Sequence, residues 1–182
     1  MEKLQPTLDA AFEQIMREYG TRVLRLVTFL VKDKNLAEDI TQDVFVKVYR
    51  HLPRFRQESS IHTWLYRIAV NECKGLLRSW TFRNLLYSAW IKKDGDVSTE
   101  HLVLDQVERD QLVAHVLGLS PPYRQIIALH YYADLSISEV AEVLSVSEGT
   151  VRTRLHRARQ QLKKRMGEGR DWEWTRPNGS SN

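Results

Sequence analysis

The sequence predicts an all-α protein built as two small helical domains joined by a linker, and three observations carry that prediction. Apolar residues recur at three- and four-residue spacing almost throughout, period-two β runs are lacking, and helix start signals are frequent. The periodicity accounts for roughly eight helices. A length of 182 residues allows one domain or two small ones, and 42% apolar with 27% charged residues is enough for packed cores.

Taken in chain order, the first helical stretch contains the most apolar segment, residues 23–31. It carries Arg25 and is far short of the ~20 residues needed to span a bilayer. The start has no apolar signal-peptide core, so neither export nor membrane insertion is expected. A second helix is signalled by Asn35 with Glu38 three residues on, the form of a capping box. Along it Ala37, Ile40, Val44 and Val48 form a stripe for the core. Glu38, Asp39, Gln42 and Asp43 remain on the outer side, an acidic face suited to a basic partner helix or simply to solvent.

Ser59 or Ser60 can cap a third helix running through Trp64 and Asn71. Polar, Gly-containing Lys92-Lys93-Asp94-Gly95-Asp96 reads as a linker, although the preceding apolar residues 85–91 are expected to pack on something. The expected division is therefore 8–80, a linker 81–98, 99–166, and a disordered tail 167–182 in which Trp172 and Trp174 have no evident role.

In the second half Pro121 after Ser120 marks a helix start, and Ser136 with Glu139 forms another capping box. The helix it opens is followed by a tight turn at 145–147 and a further helix for which Ser147 is a suitable N-cap. On that last helix Val151, Leu155, Ala158 and Leu162 share one stripe, and Arg152, Thr153, His156, Arg157 and Gln160 lie opposite. This is the sorting a helix-turn-helix needs to present its exposed positions to the major groove.

Charge is distributed in blocks. The net charge is only +4, yet residues 44–93 hold ten bases and two acids, and residues 149–166 hold seven bases and no acid. Residues 94–148 hold ten acids and two bases. Two basic segments, each preceded by an acidic one, point to two nucleic-acid surfaces in a chain that also shows an acidic face to something else.

Enzymatic constellations were not found. The histidines, at 51, 62, 101, 115, 130 and 156, never stand at i, i+3 or i, i+4 spacing, Cys73 is alone, and no P-loop is present. A lone Cys73 on an apolar helix reads as a small core residue, and a single cysteine fits a reducing cytoplasm. No enzymatic activity, cofactor or metal is expected.

With these residues in view, the run from Leu119-Ser-Pro-Pro-Tyr-Arg-Gln through Gly149-Thr-Val-Arg-Thr-Arg-Leu-His-Arg-Ala-Arg159 resembles region 4 of the extracytoplasmic-function (ECF) sigma factors of bacterial RNA polymerase. Leu36-Ala-Glu-Asp-Ile-Thr-Gln-Asp-Val-Phe45 resembles their region 2.2, and Phe55-Arg-Gln-Glu-Ser-Ser-Ile-His-Thr-Trp-Leu-Tyr-Arg-Ile-Ala-Val-Asn71 their regions 2.3 and 2.4. The resemblance covers about residues 12–79 and 100–165, in the family's order and in its minimal arrangement without regions 1.1 and 3.

The resemblance implies a transcription initiation factor that brings core polymerase to promoters of a stress or envelope regulon. Glu38, Asp39, Gln42 and Asp43 would dock on the clamp helices of the β′ subunit, and residues 123–135 on the flap of β. Phe55, Arg56, Ser59, Ser60, His62, Trp64, Arg67, Asn71, Lys74 and Arg78 would open and hold the −10 element. Aromatic rings supply sequence-tolerant stacking there, although Trp64 and Tyr66 suit a core equally well. Ser147, Thr150, Arg152, Thr153, His156, Arg157 and Arg159 would meet the −35 element, with Lys163, Lys164 and Arg165 on phosphates. One departure from the family is Gly75, where many relatives carry Asp or Asn.

Partners implied are core polymerase, promoter DNA as duplex and as melted strand, and an anti-sigma factor that can hold the protein at the membrane; a small-molecule substrate is not among them. A stand-alone helix-turn-helix regulator is the alternative reading, and it leaves the first half unexplained. A helical interaction protein leaves both basic segments unexplained.

Overall fold

A computed structural model describes residues 8–56, 58–78 and 108–166, and those residues contain seven α-helices and no strand. The chain divides into two compact units, residues 1–75 and 76–182. Residues 85–91, the linker motif 92–96 and both tail tryptophans lie outside the described residues.

The first unit is built on α1 (Leu8–Val31) and α2 (Lys34–His51), a hairpin closed by two residues. Lys32 takes the left-handed conformation, φ 61°, and its N–H reaches the Thr28 carbonyl at 2.8 Å, which ends α1 without a glycine. Asp33 then stands in extended backbone and accepts the Leu36 N–H at 3.0 Å, capping α2. The capping box expected at Asn35 and Glu38 is therefore not the start of this helix. Both types cap well, and the left-handed turn at Lys32 puts Asp33 at the first free position.

After a single 3-10 turn at Leu52–Arg54, α3 (Ile61–Arg78) completes this unit. Val23, Leu26, Val27, Ala37, Ile40, Val44, Val48, Leu65, Ala69, Val70 and Cys73 are all fully buried in its core. Each buried aliphatic side chain of Val or Leu size removes about 1.5–3 kcal/mol of unfavourable hydration, so this stripe rather than helix propensity holds the unit. A Lys47–Glu72 ion pair at 2.6 Å adds a tie between α2 and α3.

Among the described residues that follow α3, the second unit contains α4 (Glu108–Leu117) and α5 (Pro121–Ile127), which has proline at its first position. A single π turn, Ala128–Tyr132, continues α5, with the Ala133 N–H bonded to the Ala128 carbonyl at 2.9 Å. Asp134, φ 56°, ends it. Next come α6 (Ile137–Leu144), opened by the Ser136–Glu139 capping box, and α7 (Glu148–Met166), which packs on α4, α5 and α6.

Between α6 and α7, Ser145 is left-handed, φ 56°, and the N–H groups of Ser145 and Val146 return to the carbonyls of Glu142 and Ala141 at 3.2 and 3.0 Å. This is a Schellman closure made by serine instead of glycine. Two polar side chains among the described residues of the unit are buried. Arg124 donates to the carbonyls of Leu117 and Leu119 at 3.3 and 3.0 Å, and burial lowers its pKa to about 10. The His130 Nδ1–H donates to the Leu135 carbonyl at 2.8 Å. No helix among the described residues is long and apolar enough to cross a membrane.

Candidate nucleic-acid and partner interfaces

On α2 the core stripe Ala37, Ile40, Val44 and Val48 is inaccessible to solvent, which fixes the rotation of the helix. Glu38, Asp39, Gln42 and Asp43 are consequently all exposed on one side. Val46, 47% exposed, extends this face towards the end of the helix, and within the apolar run 44–46 its type alone does not mark it as outward. The face can accept salt bridges and hydrogen bonds from a basic helix while offering Val46 an apolar contact.

The second surface surrounds the start of α3. Ser60 caps the helix, its Oγ 3.3 Å from the Thr63 N–H and 2.7 Å from Thr63 Oγ1. His62 Nε2 lies 3.4 Å from the same oxygen, and Arg67 donates to Ser59 Oγ at 3.4 Å. Half-buried Phe55 stacks on Trp64 with ring centroids 4.8 Å apart and planes 37° off parallel. An open hollow lined by Phe55, Glu58, Ser59, Ser60 and Ile61 adjoins this pair. A ring-edged recess beside a basic, hydroxyl-rich helix start can receive an unstacked base and its phosphate.

Trp64 is partly accessible, whereas Tyr66 is 1% exposed and belongs to the core. Arg56 and Asn71 are exposed, Asn71 two turns beyond Trp64, and Lys74 is half-buried. The side chain of Arg78 lies outside the described residues. At Gly75 an added Cβ would meet nothing within 4 Å, so neither space nor backbone conformation requires glycine there. Cys73 is fully buried, and burial pushes its thiol up to about 12, which removes it as a nucleophile near neutral pH.

The third surface is α7. Val151, Leu155, Ala158 and Leu162 are buried, and Arg152, Thr153, His156, Arg157 and Gln160 are exposed on the other side. Ser147 caps the helix, its Oγ 3.2 Å from the Thr150 N–H and 2.9 Å from Thr150 Oγ1. Arg152 pairs with Glu148 at 2.7 Å, and Thr153 donates to the Gly149 carbonyl at 2.9 Å. The row 152, 153, 156, 157 is the set that a helix seated in a major groove turns to base edges.

Two basic residues of α7 are aimed elsewhere. The Arg159 Nε donates to the Tyr131 hydroxyl at 2.6 Å, and Arg165 lies against Gly118 and donates to the His115 carbonyl at 3.4 Å. An added Cβ at position 118 would press on the Arg165 guanidinium, so Gly118 leaves room for that approach. In residues 123–135 Arg124, Ile126, Ile127, Ala128, Leu129, His130 and Leu135 are buried, and any partner would meet Tyr123, Gln125, Tyr131, Tyr132, Ala133 and Asp134.

Both halves of the chain match known families. Residues 15–83 match the family model for Sigma-70 region 2, and residues 109–162 that for Sigma-70, region 4. The chain is 30% identical to the RNA polymerase sigma-H factor of Pseudomonas aeruginosa over 184 residues, 91% of each chain. It is 30% identical to the ECF RNA polymerase sigma factor SigW of Bacillus subtilis, over 86% of this chain and 89% of the relative. To the ECF RNA polymerase sigma-E factor of Haemophilus influenzae it is 31% identical, over 91% and 93%. Among solved structures, the sigma factor RpoE in complex with the anti-sigma factor NepR from Bartonella quintana has the same fold. Its TM-score is 0.75 at 22% identity, over 88% of this chain and 99% of that one. CnrH in complex with the cytosolic domain of CnrY gives 0.63 at 23% identity, over 89% and 91%.

Proposed function

The chain belongs to the sigma-70 family, in its ECF branch, and we propose that its two halves divide the work of promoter use at the residues described above. It is a transcription initiation factor, not an enzyme: it binds core RNA polymerase and directs it to promoters, and the polymerase makes the RNA.

Residues 8–80 dock on the polymerase and open the −10 element, residues 81–98 connect, residues 99–166 read the −35 element, and residues 167–182 form a tail. Glu38, Asp39, Gln42 and Asp43 meet the β′ clamp helices. The observation that carries this assignment is their joint exposure above an entirely buried stripe on α2.

Around the start of α3, Phe55, Ser59, Ser60, His62 and Trp64 line the place where −10 bases are held. Arg56, Arg67, Lys74 and Arg78 neutralise phosphates, and Asn71 contacts a base edge. The adjoining hollow supports this reading. On α7, Ser147, Thr150, Arg152, Thr153, His156 and Arg157 face the −35 duplex, and Arg159 lies on the flank of the same helix. The β flap meets the exposed part of residues 123–135.

A regulatory partner of the anti-sigma class binds the protein, as the anti-sigma factor NepR is in complex with RpoE in the structure of like fold. The protein acts in the cytoplasm, where polymerase is, and serves a stress or envelope regulon.

The docking assignment is tested by Asp39→Arg combined with Asp43→Arg. Reversing two charges on the docking face abolishes co-purification with core polymerase and leaves the helical signal and melting temperature of the protein intact. Unchanged co-purification would contradict the assignment.

A further inference from the structure

We propose that Tyr131 and Arg159 form a strut that sets the seat of the reading helix α7, so that Arg159 serves −35 recognition as a positioning residue and not as a phosphate contact. The proposal rests on the reading of α7 as the −35 helix.

By sequence, Arg159 stands seven residues after Arg152, about two turns along the same flank, and belongs with the DNA-facing bases. Its side chain goes the other way. Nε donates to the Tyr131 hydroxyl at 2.6 Å, and the guanidinium carbon lies 5.5 Å from the Tyr131 ring centroid. A short charge-assisted hydrogen bond and a cation–π contact to one side chain, in a part-buried setting, make a directional tie between elements 28 residues apart.

The other end of the strut is anchored. Tyr131 sits in the π turn Ala128–Tyr132, edge-on to the ring of His130 at 4.9 Å and 74°. His130 is 1% exposed and donates to the carbonyl of Leu135, the buried residue just before the helix-turn-helix. The π turn, with one residue more than an α turn, changes the direction of the side chains that follow it, and here brings Tyr131 within reach of α7.

A directional tie matters because the rest of the buried seat of α7 is aliphatic, the Arg165–His115 bond being exposed and near the far end of the helix. Val151, Leu155, Ala158 and Leu162 set which face of the helix is turned inward, and the strut refines the rotation about its axis. Base-edge hydrogen bonds from Arg152 and Arg157 require that rotation to be set.

The test uses the full chain assembled with bacterial core polymerase, on a promoter mapped by its transcription start. Promoter-complex formation is measured on the intact template and on one with a scrambled −35 element, across a salt series. Tyr131→Phe keeps the ring and removes the hydroxyl. It lowers the intact-to-scrambled ratio by about fivefold or more, with affinity for the scrambled template and its salt slope unchanged. Arg159→Lys behaves alike, and the double variant is no worse than the weaker single one, as expected for two ends of one strut.

A ratio within twofold of wild type for Tyr131→Phe overturns the proposal. So does an equal loss on both templates for Arg159→Lys, and so do additive losses in the double variant, which would mark Arg159 as acting on phosphate by itself. If the unaltered protein gives the same complex on both templates, the −35 reading itself fails, a result distinct from failure of the strut.

Discussion

Glu148 holds the guanidinium of Arg152 at 2.7 Å, one turn along the exposed side of α7. Glu148 is the last acid before the eighteen residues 149–166, which hold seven bases, and it stands at the helix start, where its charge also suits the helix dipole. The pair is accessible, 62% for Arg152 and 47% for Glu148, so it adds little to folding and leaves Arg152 available to DNA.

Arg152→Ala is accordingly expected to leave the melting temperature unchanged. It weakens discrimination at one base pair of the −35 element by about 1–3 kcal/mol. Holoenzyme binding to single-base variants of the element measures this. An equal loss on every sequence would instead identify a phosphate contact.

Cys73 provides a pH test of the first unit. In the folded chain burial pushes its thiol up to about 12, from an ordinary value of 9.0. The folded state thus keeps a proton that the unfolded chain loses above about pH 9, and stability falls as pH rises through the window from about 9 to 12. The contribution is fully present below that window. Relative to Cys73→Ala, the wild type should lose about 1 kcal/mol between pH 7 and pH 10. Urea titrations at the two values give the difference, and thiol reagents should label Cys73 only in the unfolded protein.

Arg124 provides the matching test of the second unit. It is 3% exposed and holds the turn between α4 and α5 through the carbonyls of Leu117 and Leu119. Even with its pKa lowered to about 10 the guanidinium is charged at neutral pH. Arg124→Met fills part of the space but removes both donors, and should destabilise the unit by about 3 kcal/mol in chemical denaturation.

Lys32 and Ser145 hold left-handed backbone, φ 61° and 56°, without the freedom of glycine. Lys32→Gly and Ser145→Gly should each stabilise the protein by about 0.5–1 kcal/mol, the relief of strain exceeding the added entropy of the unfolded chain. Asp134→Gly, at φ 56°, should gain less, since aspartate tolerates this region better. Melting temperatures of the three variants check the order.

These same residues show what was legible in the sequence. The stripes of α2 and α7 could be read because burial of one face imposes a 3.6-residue period, and the exposed sets Glu38, Asp39, Gln42, Asp43 and Arg152, Thr153, His156, Arg157 followed from them. The Ser136 and Ser147 caps could be read because they are local. The cap of α2 was misread, since Asp33 and Asn35 are nearly equal by type and the choice depends on Lys32 turning left-handed.

Long-range contacts left no trace in the pattern. Nothing local announces that Arg124 is buried or that Tyr131, in a π turn, captures Arg159. Nor does any local signal tell that Arg165 caps α4 across Gly118. Trp64 illustrates the intermediate case: its helix was expected, but only the structure shows it half-covered by Phe55 beside an open hollow.

The central claim is that this chain confers promoter selection on core polymerase, and in vitro transcription tests it most directly. Purified bacterial core would transcribe a fragment library of the source genome with and without the protein, with start sites mapped. The account predicts new start sites that share −35 and −10 elements at fixed spacing, and their loss with Asp39→Arg/Asp43→Arg. No new start sites, with core active on a control sigma factor and duplex binding by this protein intact, would contradict it.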